Sequence, residues 1–471
     1  MAKNRNLSDN FNTKNITARQ SVLAVVNAVM ENGSFLNDAL SEYAYISDDN
    51  GEYVFDRRDR AFIKALSEGT IERCITIDYI INQYSSKPVN KLKPYIRGIL
   101  RMSVYQILYM DKVPDNAAVN EAVKLTVKKG YQGLKGFVNG VLRNIARSGR
   151  DVDIDSKAGL SVKYSMPEWI IKHFERELGS KAAREAFDYF LKKPDITVRP
   201  DKPENIEKLA KKLQNQNIEY KQGSIIPYAL RITKGTSVSE IEGFSQGEFV
   251  VQDESSMLPA YIICEYIKDN YPTSESSINV LDMCAAPGGK VLYLAGYEER
   301  VKCIARDVTE SKVSKIEENV KRLGIKNVLC QVADALVFME EDKEKYDIII
   351  ADLPCSGLGV IAKKPDIKYN TTETDLTSLA DIQKKMLDNA FSYVKQGGII
   401  VFSTCTVNKK ENEDNNAWFL EKYQEEVSGL LLEKYIPEGI KSCLDKKNGI
   451  VIPPGKYDTD GFYITAFKKG V

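Results

Sequence analysis

The run Val280-Leu281-Asp282-Met283-Cys284-Ala285-Ala286-Pro287-Gly288-Gly289-Lys290 reads as a short apolar strand entering a glycine turn, with a helical pattern over 291–297 behind it. Such a turn is a candidate cradle for a phosphate or a nucleoside. Glycine lets the backbone approach a ligand, and the N–H groups opening the helix present partial positive charge to it. A Gly-Gly pair also serves an ordinary strand-to-helix corner, and the run is neither G-x-G-x-x-G nor G-x-x-x-x-G-K-[ST]. Two later stretches weigh on the choice. The apolar run 346–351 ends in Asp352-Leu353-Pro354-Cys355-Ser356-Gly357, and the run 398–402 ends in Ser403-Thr404-Cys405-Thr406. Each sets a cysteine just past the carboxyl end of an expected strand. In an open parallel α/β sheet those ends share one crevice, so the glycine turn and both thiols can converge there.

The elements that must position these residues alternate. Strand patterns at 278–283, 302–306, 327–332, 346–351 and 398–403 are interleaved with helical patterns at 289–297, 311–323 and 378–395, which predicts a doubly wound, mostly parallel sheet. Residues 450–453 and 461–467 offer two late strands with no helix between them. The first 150 residues differ. Residues 1–16 are polar; Thr17 then caps a helix carrying Val22, Val25, Val26 and Val29 on one face and stopped by Gly33. Further helices are expected at about 58–68, 71–84, 94–110, 116–129 and 134–146, with Pro94 at a first helical position and Gly130 past a helix end. A charged linker, 150–158, leads to helices around Trp169 and at 182–191. The stretches 196–199, 205–214, 228–232 and 248–251 then suggest a small β-α-β unit flanking the larger sheet.

A chain of 471 residues, 43% hydrophobic, suggests about three domains. No apolar run approaches a membrane span and the first residues are polar, so a cytoplasmic, non-membrane protein is expected. Eight scattered cysteines without a C-x-x-C pair argue for reduced thiols rather than disulfides or zinc ribbons. Cys74, Cys264, Cys303 and Cys330 read as small hydrophobes. The single histidine, His173, lies in an amphipathic helical pattern and reads as structural, which leaves acid–base chemistry to carboxylates, thiols and lysines. The net charge is zero, yet residues 87–150 hold thirteen Lys and Arg against three Asp and Glu, an excess suited to a phosphate-binding surface.

The AAPGGK turn, the D-x-PCSG loop and the STC loop, in this order and at these strand ends, resemble the RNA cytosine-C5 methyltransferases, which use S-adenosylmethionine. Thr17-Ala18-Arg19-Gln20 and Phe137-Val138-Asn139-Gly140-Val141-Leu142-Arg143 are similar to the NusB-like RNA-binding domain of the RsmB (Sun/Fmu) branch of that family. The resemblance implies an all-α NusB-like domain over 1–150, a helical linker over 151–195, a small α+β RNA-recognition-like subdomain over 196–255, and a class I, Rossmann-like α/β methyltransferase domain over 256–471. Gln252-Asp253-Glu254-Ser255-Ser256 resembles the family's link into its first catalytic helix and reads as structural before substrate-contacting. Val291 stands where many relatives have threonine, and Thr406 where many have serine.

The same resemblance implies cofactor contacts from Cys284, Ala285, Ala286, Pro287, Gly288, Gly289, Lys290, Asp307, Lys312, Asp334 and Asp352. Asp307, closing the second strand, fits the ribose hydroxyls as an acid does about 20 residues after a dinucleotide loop, and Asp334 fits the adenine. No metal is expected. Cytosine C5 is a poor nucleophile until a thiolate adds to C6 and makes the ring an enamine, so covalent catalysis is chemically motivated. By resemblance Cys405 is the nucleophile, Cys355 assists release, and Asp352 meets the N3/N4 edge with Lys290 beside it. The expected partner is small-subunit (16S) ribosomal RNA, presented as an unpaired or flipped base, and the enzyme is expected to be monomeric. A transfer RNA substrate, or a NusB-like RNA adaptor with an inactive second half, are the alternatives; a nicotinamide-linked oxidoreductase is disfavoured by the missing G-x-G-x-x-G.

Overall fold

A computed structural model describes residues 16–47, 52–149, 158–233, 237–271, 277–445 and 447–470. The expected polar tail, up to residue 15, and the linker from 150 to 157 lie outside the described residues. The chain forms two compact units: Met1–Phe174 with Lys363–Thr371, and Glu175–Ala362 with Thr372–Val471.

The first unit is built from the helices Ala18–Asn32, Leu36–Tyr43, Arg57–Glu72, Cys74–Tyr84, Pro94–Tyr109, Asp115–Lys128, Lys135–Ser148 and Gly159–Lys163. Thr17 and Gln20 make a reciprocal capping box at the start of the first helix, and Gly33, at φ 72°, closes it. Its stripe of Val22, Val25, Val26 and Val29 is buried against Ile63, Leu66, Ile99 and Leu100. The helix expected over 71–84 starts instead at Cys74, because Arg57–Glu72 runs on through Ile71. His173 is buried, its ring 6.5 Å from that of Trp169 and 6.0 Å from that of Phe174. Two of the thirteen cations are spoken for inside the unit: Arg101 is buried and donates two bonds to Asp78, and Arg97 pairs with Glu31. Lys87, Lys91, Lys93, Lys112, Lys128, Lys135, Arg143 and Arg147 are exposed.

The segment Lys363–Thr371 belongs to this helical unit although it begins 189 residues after Phe174 (363 − 174), where the rest of the unit ends. It finishes helix ends that the helices leave open. The Leu36–Tyr43 helix has no side-chain cap of its own, and Asp366 Oδ2 accepts its Leu36 N–H at 3.0 Å. At the end of Arg57–Glu72, Tyr369 Oη donates to Ile71 O (3.0 Å) and Lys368 Nζ to Glu72 O (2.6 Å) and to Ser165 O (2.8 Å). These are the orphan donors and acceptors that every helix terminus carries.

The second unit holds two sheets. Strands β1 (Ile196–Pro200), β2 (Tyr220–Gln222), β3 (Leu230–Ile232) and β4 (Phe249–Val251) form a small sheet in the order β2-β3-β1-β4, every pair antiparallel. The helix Ile206–Asn215 covers it with Leu209 and Leu213 against Val198, Leu230 and Phe249. The short, polar β2 carries no apolar alternation and escapes sequence reading. The large sheet joins β5 (Ile278–Asp282), β6 (Val301–Asp307), β7 (Val328–Val332), β8 (Tyr346–Asp352), β9 (Val394–Thr404), β10 (Val427–Gly429), β11 (Ile450–Ile452) and β12 (Phe462–Lys469). Its order is β10-β12-β9-β8-β5-β6-β7, with β11 also on β12; β5 to β9 run parallel and β12 pairs antiparallel with β9, β10 and β11. The chain moves from β5 out to β7, then restarts at β8 on the other side of β5. That reversal opens a crevice at the carboxyl ends of β5 and β8.

Lys368 is 2% exposed, and burial pushes its ammonium down to about 8 despite the Glu72 carboxyl nearby. A lysine lowered from about 10.4 binds fewer protons folded than unfolded, so its contribution to stability rises between about pH 8 and pH 10.4 and its burial penalty is complete below about pH 8. In Lys368→Met that slope is expected to vanish. Denaturant unfolding of both proteins across this range checks it; parallel curves would mean that Lys368 does not titrate there.

Candidate active site

The glycine turn leaves β5 and is stitched to its neighbours by the backbone: Met283 N–H donates to Ile350 O (3.1 Å) and Ala285 N–H to Arg306 O (2.7 Å). Gly288 sits at φ 103°, where a Cβ would lie 2.6 Å from Leu292 Cδ1. Glycine is therefore required, and Gly289 opens the helix Gly289–Tyr297. Asp307 closes β6 beside the turn. Its Oδ2 accepts the Ala286 N–H (3.1 Å), and its Oδ1 accepts the Val308 N–H (2.8 Å) and pairs with Lys312 Nζ (2.9 Å). Lys312 thus bears on Asp307 rather than on the turn. Asp334 follows β7, exposed, with Oδ1 on the Leu336 N–H (2.9 Å). An exposed apolar side chain, Val308 or Leu336, follows each carboxylate.

Lys290 is 8% exposed and reaches across the switch point: Nζ donates to Asp352 Oδ2 at 2.6 Å and to Ser256 Oγ at 3.3 Å, 5.5 Å from the centre of the Phe462 ring. Burial pulls its pKa down, but the charges of Asp352, Asp282 and Cys405 more than offset this, so the net shift is upward and the ammonium stays charged. Ser403 Oγ donates to the other oxygen, Asp352 Oδ1 (2.7 Å), tying the ends of β8 and β9 together.

Cys355, after β8, and Cys405, after β9, meet with their Sγ atoms 3.3 Å apart. Contact with Cys405 raises the Cys355 thiol first, burial second, and the charges of Cys405, Glu411 and Asp352 add to it, so its pKa lies well above the ordinary thiol range. The flanks of both cysteines are fixed by buried side chains. Gln383 Nε2 donates to Pro354 O (2.9 Å), Asn412 Nδ2 to Thr406 O (3.0 Å), and Thr404 Oγ1 to Asn412 Oδ1 (2.5 Å). Ser356 Oγ meets Thr406 Oγ1 at 2.7 Å, and Gly359 N–H donates to Cys405 O at 3.1 Å. The Gln252–Ser256 stretch is largely framework: Glu254 accepts the N–H groups of Ser224, Ile225 and Ile226, while Gln252 accepts from Arg199.

The sequence therefore pointed to Cys284–Lys290, Asp307, Lys312, Asp334, Asp352, Cys355 and Cys405, and the crevice gathers the ends of the strands that carry them. Ser256 and Ser403 lie within the Gln252–Ser256 and Ser403–Thr406 stretches without a role of their own in the sequence; Gln383, Glu411 and Asn412 gave no sign at all, the last two in a run, Glu411-Asn412-Glu413-Asp414-Asn415-Asn416, that looks like a solvated helix face. Asp282 was within the turn motif but passed over. It is 1% exposed, burial pushes it up to about 7, and its Oδ1 has no hydrogen-bond partner among the described residues. Cys284 is half-buried and raised by burial; Cys74 and Cys303 are buried, Cys264 and Cys330 half-buried, and all eight cysteines are free thiols. Among the described residues no cluster of His, Cys, Asp and Glu could hold a metal ion, and no helix is long and apolar enough to cross a membrane.

A mostly parallel sheet with its glycine turn at the switch point and antiparallel strands at one side is the fold of a class I methyltransferase. The family described as "16S rRNA methyltransferase RsmB/F" matches residues 271–468, and the "NusB family" matches 16–147. The chain is 34% identical to the probable ribosomal RNA small subunit methyltransferase B of Bacillus subtilis, over 88% of this chain and 91% of that one. It is 29% identical to the protein of the same name from Synechocystis, over 96% and 100%. The crystal structure of PH0851 shares the fold at a TM-score of 0.74 and 22% identity, covering 97% of this chain and 99% of that one. The chain belongs to the RsmB/F methyltransferase family.

Gly359 is the tightest joint at the thiols: a Cβ there would lie 2.2 Å from Gly461 O and 2.8 Å from Cys405 O, both rigid backbone. Gly359→Ala is expected to displace Cys405 and lower methyl transfer about a hundredfold while leaving binding at the glycine turn near normal. Single-turnover rates beside calorimetric binding read the difference; full activity would show that the two loops are not held by this joint.

Proposed function

We propose that the protein transfers a methyl group from S-adenosylmethionine to C5 of a cytosine in small-subunit (16S) ribosomal RNA, through a covalent adduct between Cys405 and cytosine C6. The observation that carries this reading is the pair of thiols 3.3 Å apart at the mouth of a crevice that also holds the glycine turn and the Lys290–Asp352 pair. The names of the relatives from Bacillus subtilis and Synechocystis support the RNA substrate. Residues 1–150 serve RNA binding, 151–195 link, 196–255 form the RNA-recognition-like subdomain, and 256–471 carry the chemistry.

The crevice fits the cofactor. Gly288 leaves the space a side chain would fill, the orphaned Oδ1 of Asp282 suits the ammonium of the methionine end, Asp307 suits the ribose, and Asp334 with exposed Leu336 suits the adenine. Bound there, S-adenosylmethionine supplies an electrophilic methyl on a sulfonium centre. Asp352, held on one oxygen by Lys290 and on the other by Ser403, is placed to receive the cytosine N3/N4 edge. The Cys405 thiolate adds to C6, which makes C5 nucleophilic; after transfer water takes the C5 proton, the C5–H electron pair restores the C5–C6 double bond, and the C6–S bond breaks to release the Cys405 thiolate. Cys355, a thiol held neutral beside Cys405, donates its S–H to the departing sulfur.

With labelled cofactor and 16S ribosomal RNA, label is expected on cytosine C5. Cys405→Ala should give neither adduct nor product, and Cys355→Ala should accumulate a protein–RNA conjugate that survives a denaturing gel. A conjugate from the Cys405 variant would exchange the two roles. Label on transfer RNA alone would change the substrate, and cofactor binding without any transfer would favour the adaptor.

The exposed cations of the helical unit supply salt-dependent affinity. Lys135→Glu with Arg143→Glu is expected to flatten the slope of log K against log salt by about 0.7 to 0.9 for each phosphate that is no longer neutralised, with cofactor affinity unchanged. An unaltered slope would return both residues to an ordinary solvated face.

A further inference from the structure

Glu411 lies on no strand end and touches no expected ligand, yet it is fully buried and is the most heavily bonded carboxylate near the thiols. Its Oε1 accepts from Ser356 Oγ (2.6 Å) and Asn408 Nδ2 (2.8 Å), and its Oε2 from the Ser356 N–H (2.9 Å) and Gln383 Nε2 (3.0 Å). Ser356 follows Cys355 in the chain, Asn408 lies three residues past Cys405, and Gln383 also holds the carbonyl of Pro354, which precedes Cys355. Four neutral donors therefore converge on one side chain from both cysteine loops and from the helix Glu373–Tyr393.

We propose that Glu411 is a positioning residue for the thiol pair: its carboxylate, the common acceptor of both cysteine loops, holds Cys355 against Cys405 in the alignment that adduct release requires.

Burial raises the Glu411 carboxyl above its ordinary value, and the bonds from Ser356, Asn408 and Gln383 oppose that rise; as a carboxylate it offers about four acceptor sites, and here all four are used. Glutamine is nearly the same shape but accepts through one oxygen only. Its NH₂ would face two donors, either Ser356 N–H and Gln383 or Ser356 Oγ and Asn408, leaving buried groups unsatisfied. The charge matters as well as the shape. Contact with Cys405 and burial do most to raise the Cys355 thiol, and the charges of Cys405, Glu411 and Asp352 add to it, so Glu411 too opposes its ionisation. A Cys355 kept as thiol can donate to the sulfur that leaves C6; a Cys355 ionised early cannot. The inference rests on the proposed methyl transfer, but its first test needs no RNA.

Glu411→Gln and the wild type are alkylated with iodoacetamide across a pH series, and modification of Cys355 is followed by peptide mass. The midpoint for Cys355 is expected to fall in the variant. With RNA and S-adenosylmethionine, the variant is then expected to bind cofactor normally, to turn over at least about tenfold more slowly and to accumulate the covalent conjugate, as Cys355→Ala does. An unchanged Cys355 profile together with normal turnover overturns the proposal. So does slow turnover without conjugate, which would place the defect before release. If Glu411→Gln melts below the assay temperature, Ser356→Ala and Asn408→Ala each delete a single donor; trapping of conjugate by them supports the assignment and normal turnover by both overturns it. Wild-type transfer to RNA run in parallel tests the proposed reaction separately.

Discussion

A buried ammonium must be paired, and in this protein that requirement joins the two halves of the catalytic sheet. Lys290 comes from the first turn after β5 and Asp352 from the end of β8, strands 70 residues apart in the chain and adjacent in the sheet. The pair can form only because the strand order reverses between them, and once formed it fixes the glycine turn relative to the PCSG loop. Ser403 extends the same constraint to β9 by binding the second Asp352 oxygen, and Ser256 extends it to the helix Glu254–Asn270 through Lys290. One cation thus sets the positions of four chain segments. Charge complementarity at this point, rather than apolar packing, fixes the glycine turn against the ends of β8 and β9.

The helical unit meets a comparable demand differently. Its core is ordinary helix-on-helix burial of valine, isoleucine and leucine stripes, but two of its helix ends find their partners in Lys363–Thr371. This segment follows the PCSG loop within a few residues of Gly357. The folding unit is therefore discontinuous in sequence, and residues 1–150 alone lack the side chains that satisfy Leu36 N–H, Ile71 O and Glu72 O.

Around the thiols, sites for reactive groups are held by polar side chains that are themselves out of water. Gln383, Glu411, Asn412 and Asn415 are all buried, and Asn415 Nδ2 donates to Gln383 Oε1 (2.8 Å), so the network extends behind the loops it supports. In a low-dielectric interior each such bond is stiff because breaking it strands a polar atom. The same bonds hold the loops in which the sulfur atoms of Cys355 and Cys405 lie 3.3 Å apart without a covalent link.

How much of this could be read in advance follows from the range of the forces involved. Alternating apolar runs and helical periodicity are local, so the sequence alone determined the succession of parallel strands, the helical first part, the Thr17 cap, and the cysteines at the ends of β8 and β9. The glycine turn was legible because positive φ is written into the residue type at Gly288. Boundaries slipped where packing overrode pattern, as at Ile71; the short polar β2 gave no periodic signal, and the helix Leu36–Tyr43 carries its stripe of Leu36, Ala39, Leu40 and Tyr43 over only 8 residues. Tertiary structure alone decided what depends on long-range satisfaction of polar groups: the pairing of Lys290 with Asp352, the withdrawal of Arg97 and Arg101 from the basic surface to internal carboxylates, the membership of 363–371 in the helical unit, and the burial of Glu411. A polar residue's type says that it needs a partner, and only the folded chain says whether water or another side chain provides it.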